Sequence, residues 1–591
     1  MLARAWQLGR PGAPGPGTRG RYMPMVITTP SESAETSTFP ARGLVNRELA
    51  IDIFARQRAR SSSIYTGMKY LAYYALVTGL LTNWAALGAA GPARGRGQAD
   101  HVVVVVWDGM RPDMITREHT PTLHQLASEG VFFANHHPAF ISSTEVNGTA
   151  MATGAHPQRS GIIANNDYRP AMNWLEAVAT ESVDVIRRGD VLTGGHYLTM
   201  PTVAETLHQA GIPTIIAGTK PVVLLHDRAM RRTTAAARES VVLYKGHALP
   251  SRALAAVVQT NGAAFPASAT PNFARDRWTT RGLTEALWRK GVPKYSLLWL
   301  SEPDASQHAT APGSTNALAA MRSSDTNLAL VLAALDAKGL RQKTDVFVVS
   351  DHAFSTIHRG ADIASLLRKA GFKAAKAYLD PEPGDVLVVG LGGAAMLYVA
   401  ERDEAVIKQL ARFLQTSDFA GVIFSRLPLP GTFLLEQGLI NSDQAKPDLV
   451  VSMRWSAGTN AFGVPGLLVG ESGTKGAGTH GSLSPYDMRN TLVAAGPDLR
   501  RGFVDSLPTG NADLAPTILW LLGVEPSRPM DGRVLTEAFT GATQPAAQPA
   551  TRTIEATCDV GNKRWRQYLR LTTLGTQTYF DEGNGESVAA H

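Results

Sequence analysis

A single cysteine, Cys558, in 591 residues excludes a disulfide scaffold, a thiolate zinc cluster and an iron–sulfur centre. Charge is also sparse, at 18% of residues against 44% hydrophobic. That balance excludes a wholly disordered or fibrous chain, and the length allows about two to four domains. No internal repeat is present. Acidic residues are few near the start, where residues 1–67 hold nine arginines and four acids and so carry +5 of the chain's net +7. The remaining +2 is too little for a basic binding face, and no nucleic-acid duplex is expected as a partner.

The early segments, such as residues 10–19, are rich in Gly and Pro and lack amphipathic periodicity, so they are expected to be unstructured. At Met68-Lys69 the character changes, and an uncharged run follows over residues 70–92 with small residues at Gly88-Ala89-Ala90. A short cationic start, an apolar stretch and small residues have the form of a secretory signal peptide. The expectation is therefore a true start at Met68, with 1–67 a mis-called or disordered extension and 68–91 a signal peptide. The body would then be periplasmic or secreted. The alternative is a membrane anchor with a basic cytoplasmic tail, since about 20 apolar residues span a bilayer. Dilution of the run by Ala, Gly and Thr favours the signal peptide.

From His101 onward, apolar runs alternate with helical patterns. Residues 101–107 form a β-branched run suited to a strand buried on both faces. Residues 120–130 read as a helix, with Thr120 as N-cap, Pro121 at its first position and Gly130 at its end. Further strands are expected at 213–218, 295–300, 344–349 and 447–453, and helices at 201–210, 315–338, 403–416 and 511–522. This alternation predicts an α/β fold with a mainly parallel sheet. Residues 228–283 alternate poorly and are expected to form a cap or insertion over the sheet. Residues 540–550 read as a linker, and 551–582 as a small β-hairpin segment with turns at Asn562 and Gly575.

Ligands of open α/β sheets bind beyond the carboxyl ends of the strands. Three predicted strands end there in acids: Asp108, Asp304 (within Ser301-Glu302-Pro303-Asp304) and Asp351. One such aspartate is commonly a turn residue. Three of them, two with a histidine close by (His308 and His352), point instead to a metal site, and carboxylate with imidazole suits zinc, and less often manganese or iron. Ser142-Ser143-Thr144 places hydroxyls just before a helix that Gly154 ends. The free N–H groups of a helix start favour a phosphate, and a threonine hydroxyl beside a metal ion is activated for attack.

In chain order, the stretches Trp107-Asp108-Gly109-Met-Arg111-Pro112, Thr144-Glu-Val-Asn147 with Thr153-Gly154 and Ser160-Gly161-Ile162, Glu302-Pro303-Asp304 with His308, Ser350-Asp351-His352, Gly478-Thr-His480-Gly481 and Ala495-Gly496-Pro497 resemble the alkaline phosphatase superfamily. The closing stretch, Asn511-Ala-Asp-Leu-Ala-Pro-Thr517 with Leu521-Leu-Gly523, matches as well. The similarity is greatest to the superfamily's type I phosphodiesterase/nucleotide pyrophosphatase branch. It implies a three-layer sandwich around a mainly parallel sheet over residues 98–540; the small β segment expected at 551–591 lies beyond the resemblance. It also implies two divalent metal ions, zinc being the expected species. Asp304, His308 and His480 would hold one, and Asp108, Asp351, His352 and the Thr144 oxygen the other. Thr144 would be the nucleophile of a two-step displacement through a phospho-threonine, and Asn147 would donate to a phosphate oxygen.

The substrate implied is a small phosphate ester, with a phosphodiester or pyrophosphate bond cleaved. Two positions depart from the branch. Lys220 lies where some monoesterases and phosphonoacetate hydrolases of the superfamily carry a basic residue, but their second basic residue falls at Val222. It is read either as a substrate ligand or as a solvated strand-end lysine. Glu145 stands where nucleotide pyrophosphatases usually carry an aromatic residue, and an acid there repels phosphate unless it is paired or turned away. The competing readings are a phosphomonoesterase or phosphonate hydrolase of the same superfamily, and a non-catalytic exported metal-binding protein.

Overall fold

The computed structural model describes residues 97–228, 233–542 and 547–589. The expected extension and signal peptide lie outside these residues. Among the described residues, no helix is long and apolar enough to cross a membrane.

The valine run His101–Trp107 forms the central strand of a nine-stranded sheet, paired in parallel on both sides with Thr344–Val349 and Tyr295–Leu300. Alternate side chains of a strand face opposite ways, so a run buried on both faces must fill two cores. Val102, Val104 and Val106 pack in one core, with Met151, Leu207 and Ile518 from helices Thr144–Thr153, Val203–Gln209 and Leu514–Leu521. Val103, Val105 and Trp107 pack in the other, against Leu126, Trp278 and Leu328 from helices Pro121–Glu129, Phe273–Arg281 and Thr315–Ala337. The result is three layers, helices on both faces of a mainly parallel sheet. Each fully buried valine or leucine stabilises this arrangement by about 1.5–3 kcal/mol.

Beyond Tyr295–Leu300 the sheet continues through Thr214–Gly218 and Val241–Tyr244 to the antiparallel edge strand His247–Leu249. Within residues 228–283, Val241–Tyr244 and His247–Leu249 therefore extend the sheet, while most of the remaining described residues are helical or loop. Among the described residues of that stretch, two strands of three or four residues and four helical segments of three to nine residues are too short for periodicity to show clearly in sequence. Beyond Thr344–Val349 the order is Leu492–Ala495, Val131–Phe133 and Phe503–Asp505.

The expected strand at 447–453 forms as Leu449–Met453, but in a second, six-stranded sheet built from residues between Ala374 and Met453. The C-terminal segment is three antiparallel strands, Ala550–Val560, Lys563–Leu574 and Gln577–Ala589, not one hairpin. Leu569 and Phe580 share a core with Val422 and Phe424 of the second sheet. Thr120 does not cap its helix through its side chain, which bonds instead to the backbone of Thr116. The first N–H groups, those of Thr122 and Leu123, donate to the distant carboxylate of Asp325.

Candidate metal and nucleophile site

Three parallel strands bring their following acids to one edge. Asp108 comes directly after His101–Trp107, Asp304 opens the helix Asp304–Thr310 just past Tyr295–Leu300, and Asp351 follows Thr344–Val349 by two residues. Gly109 N–H donates to Asp351 Oδ1 at 3.0 Å, and Asp304 N–H to the Asp108 carbonyl at 3.0 Å, which lock the three strand ends together. His480 is 129 positions beyond Asp351. It returns because Gly478–Thr479 pairs antiparallel with Ser355–Gly360, in the register Ser355↔Thr479. Gly478 makes that approach possible: a Cβ there would lie 2.4 Å from the Gln307 carbonyl oxygen.

The three imidazoles share one arrangement. His308 Nδ1 meets the Gly478 carbonyl at 3.2 Å, His352 Nδ1 that of Ala353 at 3.1 Å, and His480 Nδ1 that of Ser142 at 2.8 Å. A carbonyl only accepts, so each Nδ1 carries the proton and each Nε2 presents a lone pair. Those lone pairs face carboxylate oxygens. His352 Nε2 is 3.2 Å from Asp351 Oδ2 and 3.7 Å from Asp108 Oδ1. His308 Nε2 is 3.3 Å, and His480 Nε2 3.7 Å, from Asp304 Oδ1. Burial pushes His352 down to about 3 and His480 well below the usual imidazole range, so both are neutral ligands at pH 7.

Acceptors that face acceptors in a buried site repel unless a cation lies between them. Asp108 Oδ1, Asp304 Oδ1 and Asp351 Oδ2 are all buried without a hydrogen-bond donor. The donor set of carboxylates and neutral Nε2 atoms fits divalent ions, with the Nδ1–H bonds fixing each ring. Two clusters have ligand atoms within 4.8 Å of one another: Asp108, Asp351 and His352; and Asp304, His352 and His480. His308 touches Asp304 but falls outside the second cluster, where His352 takes the place expected of it. It is also the most exposed of the three, at 43%.

Thr144 opens the helix Thr144–Thr153 and is 2% exposed, and Gly154 ends that helix in the left-handed region at φ 65. Its hydroxyl lies 3.3 Å from His352 Nε2, so nucleophile and ligand set meet at the positive end of a helix. Asn147, one turn on, is not available to a phosphate. Its amide donates to the carbonyls of Ala139 at 3.2 Å and Ser143 at 3.1 Å, and its Oδ1 accepts from Ala139 N–H and Asn511 Nδ2. An amide has two N–H donors, and both are used. A second asparagine, Asn165, lies beside the nucleophile: its Oδ1 accepts from Glu145 N–H at 3.2 Å, and its side chain is half-buried. Its sequence signal is slight, a polar pair closing the apolar run of residues 162–164.

Lys220 is not a solvated lysine. Its ammonium lies 2.9 Å from Asp108 Oδ2 and 3.0 Å from Asp304 Oδ2, inside the acid cluster. Burial favours the neutral amine, yet the charges of Asp108, Asp304 and Asp351 hold Lys220 well above the usual lysine range. Burial also opposes ionisation of Asp304, but Lys220 with the nearby imidazoles holds its carboxyl well below the usual range. Asp108 moves the other way, raised well above that range by burial and by the charge of Asp351. Two further side chains support the acids, Trp299 from outside the motifs and Asn511 from the closing one. Trp299 Nε1 donates to Asp108 Oδ2 at 2.8 Å, and Asn511 Nδ2 donates to both the Asp351 carbonyl and Asn147 Oδ1.

Residues 102–458 match the family described as Type I phosphodiesterase / nucleotide pyrophosphatase. An uncharacterized pyrophosphatase/phosphodiesterase of Schizosaccharomyces pombe is 38% identical over 69 residues, which are 12% of this chain and 14% of that relative's length. Murine ectonucleotide pyrophosphatase / phosphodiesterase 5 shares the fold at a TM-score of 0.54 and 19% identity, covering 74% of this chain and 100% of that one. The human protein of that name gives 0.52 at 18% identity, with 75% and 100% covered.

Proposed function

The chain belongs to the type I phosphodiesterase/nucleotide pyrophosphatase family, and from that premise we propose that it is an exported hydrolase of phosphodiester or pyrophosphate bonds, acting through a phospho-threonine on Thr144. The observation that carries this reading is the placement of the Thr144 hydroxyl against His352 Nε2, among buried carboxylate oxygens that no donor reaches. Asp108, Asp351, His352 and Thr144 would hold one divalent ion, and Asp304, His480 and His308 the other, with zinc the species their chemistry suits best. Bound there, the ions supply Lewis acidity to the attacking and leaving oxygens.

The chain's own residues do the rest. The start of the Thr144–Thr153 helix offers its N–H groups and positive end to the phosphoryl oxygens. Asn165, held against the Glu145 backbone, is the side-chain amide placed to donate to them, a role that Asn147 is too fully bonded to take. Asn511 ties the nucleophile helix to the Asp351 strand end, so attack geometry and ligand geometry are set together. The murine structural neighbour has been solved as an inactive variant in complex with AMP, which supports the phosphate-ester class.

Export rests on the form of residues 68–91 and is tested by N-terminal sequencing of the mature protein, where a start near residue 90 supports it and an intact Met1 refutes it. The reaction is tested by comparing bis-p-nitrophenyl phosphate with p-nitrophenyl phosphate, with and without chelator. Faster diester turnover that chelation abolishes is the expected result. A clear preference for the monoester would favour the phosphomonoesterase or phosphonate hydrolase reading, for which a cationic Lys220 inside the site is the supporting observation. Metal uptake with neither substrate cleaved would favour the non-catalytic binding protein.

A further inference from the structure

A pair of divalent ions leaves two features of this site unexplained. Lys220 puts its ammonium where the ligands of those ions converge, bonded to one oxygen of Asp108 and one of Asp304. Glu145, next to the nucleophile, is 5% exposed and in contact with the carboxyl of Glu181, and neither Glu145 Oε2 nor Glu181 Oε2 has a donor. The two features are neighbours. Glu181 accepts from the N–H of Val222, two residues past Lys220, and the charge of Lys220 reaches both glutamates.

We propose that Lys220 is a tethered counter-ion that holds Asp108 and Asp304 together in the metal-free protein and moves onto the Glu145–Glu181 pair when a divalent ion takes its place. The inference rests on the two-metal reading above. An ammonium and a divalent ion at about 4 Å in a buried site repel too strongly to share the same two carboxylates. A displaced lysine left without a partner would be a buried, unpaired charge, which proteins avoid. The glutamate pair answers that need: it has acceptors without donors, and the lysine has a flexible four-carbon stem and three donors. The exchange also gives Glu145 a purpose: with Glu181 it forms the buried carboxyl pair beside the nucleophile that receives the displaced ammonium.

The test is a titration of the metal-stripped protein with Zn2+ or Mn2+, read by competition with a fluorescent chelator. Lys220→Met should bind the first ion on the order of tenfold or more tighter than wild type, since no cation has to leave. Lys220→Arg, which keeps the charge, should stay within about threefold of wild type. Glu145→Gln should weaken binding by about three- to tenfold, and should have no effect when combined with Lys220→Met. Thermal melts give a second readout: ion addition should raise the Tm of Lys220→Met by more than that of wild type. If Lys220→Met does not fold, Lys220→Gln replaces it. Unchanged or weaker binding by the neutral variants overturns the proposal, as does a Glu145→Gln effect of equal size with and without the lysine. If wild type takes up neither ion, the two-metal reading falls, and this proposal with it.

Discussion

The central sheet buries acids at both of its edges, and the two groups are stabilised in different ways. At the amino edge, Asp345 and Asp498 lie against each other. Asp498 accepts from Gln98 and Ala99 N–H at 2.6 and 2.9 Å, and Asp345 Oδ1 accepts from Asp498 N–H. Burial and the charge of Asp498 push Asp345 up to about 8, so Asp345 is protonated at pH 7, and its Oδ2, the oxygen that no other donor reaches, is satisfied by the proton it shares with Asp498. At the carboxyl edge, Asp108, Asp304 and Asp351 face imidazole lone pairs and leave three oxygens without donors. A structural acid cluster closes its own hydrogen bonds. This one does not, and the deficit marks where cations belong.

Substitutions sharpen that contrast. Thr144→Ala should abolish diester hydrolysis, with a loss of roughly 10³-fold or more in kcat, because the proposed mechanism makes its hydroxyl the attacking group. The two asparagines of the carboxyl edge should separate next. Asn165→Ala is expected to lower kcat by about 10²-fold or more at unchanged Tm, measured on the same diester. Asn147→Ala should show first as a loss of stability of about 1–3 kcal/mol in denaturant unfolding, because it leaves backbone groups of Ala139 and Ser143 unpaired.

The smallest effect belongs to the amino edge. Asp345 holds its proton in the folded protein up to about pH 8 but loses it near the ordinary carboxyl value in the unfolded chain. Its stabilising contribution is therefore complete at low pH and is lost as pH rises through about 8. Asp345→Asn should flatten that slope, so that Tm between pH 5 and pH 8 falls by a few °C less than in wild type, on the order expected for a single group in a large domain. An unchanged slope would mean that the amino edge is not held by a shared proton.

The long, uniformly apolar strands were legible because a β-branched run such as 101–107 has no other stable use in an α/β chain. So were the acids after them, since strand ends are where open sheets bind ligands. What local sequence could not show was where partners separated by hundreds of residues would meet. Nothing near Lys220 announces that its ammonium will sit between Asp108 and Asp304, which lie 112 positions before it and 84 after. Asn147 stands in a motif beside the nucleophile, yet helix geometry turns it into the core, while the adjacent asparagine comes from a later loop. Within the cap expected at 228–283, the sheet-edge strands Val241–Tyr244 and His247–Leu249 were not legible, because strands of three or four residues carry too few alternations to be read. His308 and His352 look equivalent in sequence, each close to an acid, but only His352 joins both ligand clusters.

Metal stoichiometry tests the account most directly. Protein equilibrated with excess Zn2+ or Mn2+, freed of unbound ion and measured by elemental analysis should hold two ions per chain. Asp351→Ala and Asp304→Ala should each hold one. A wild-type protein that binds none, or variants that keep the full complement, would contradict it.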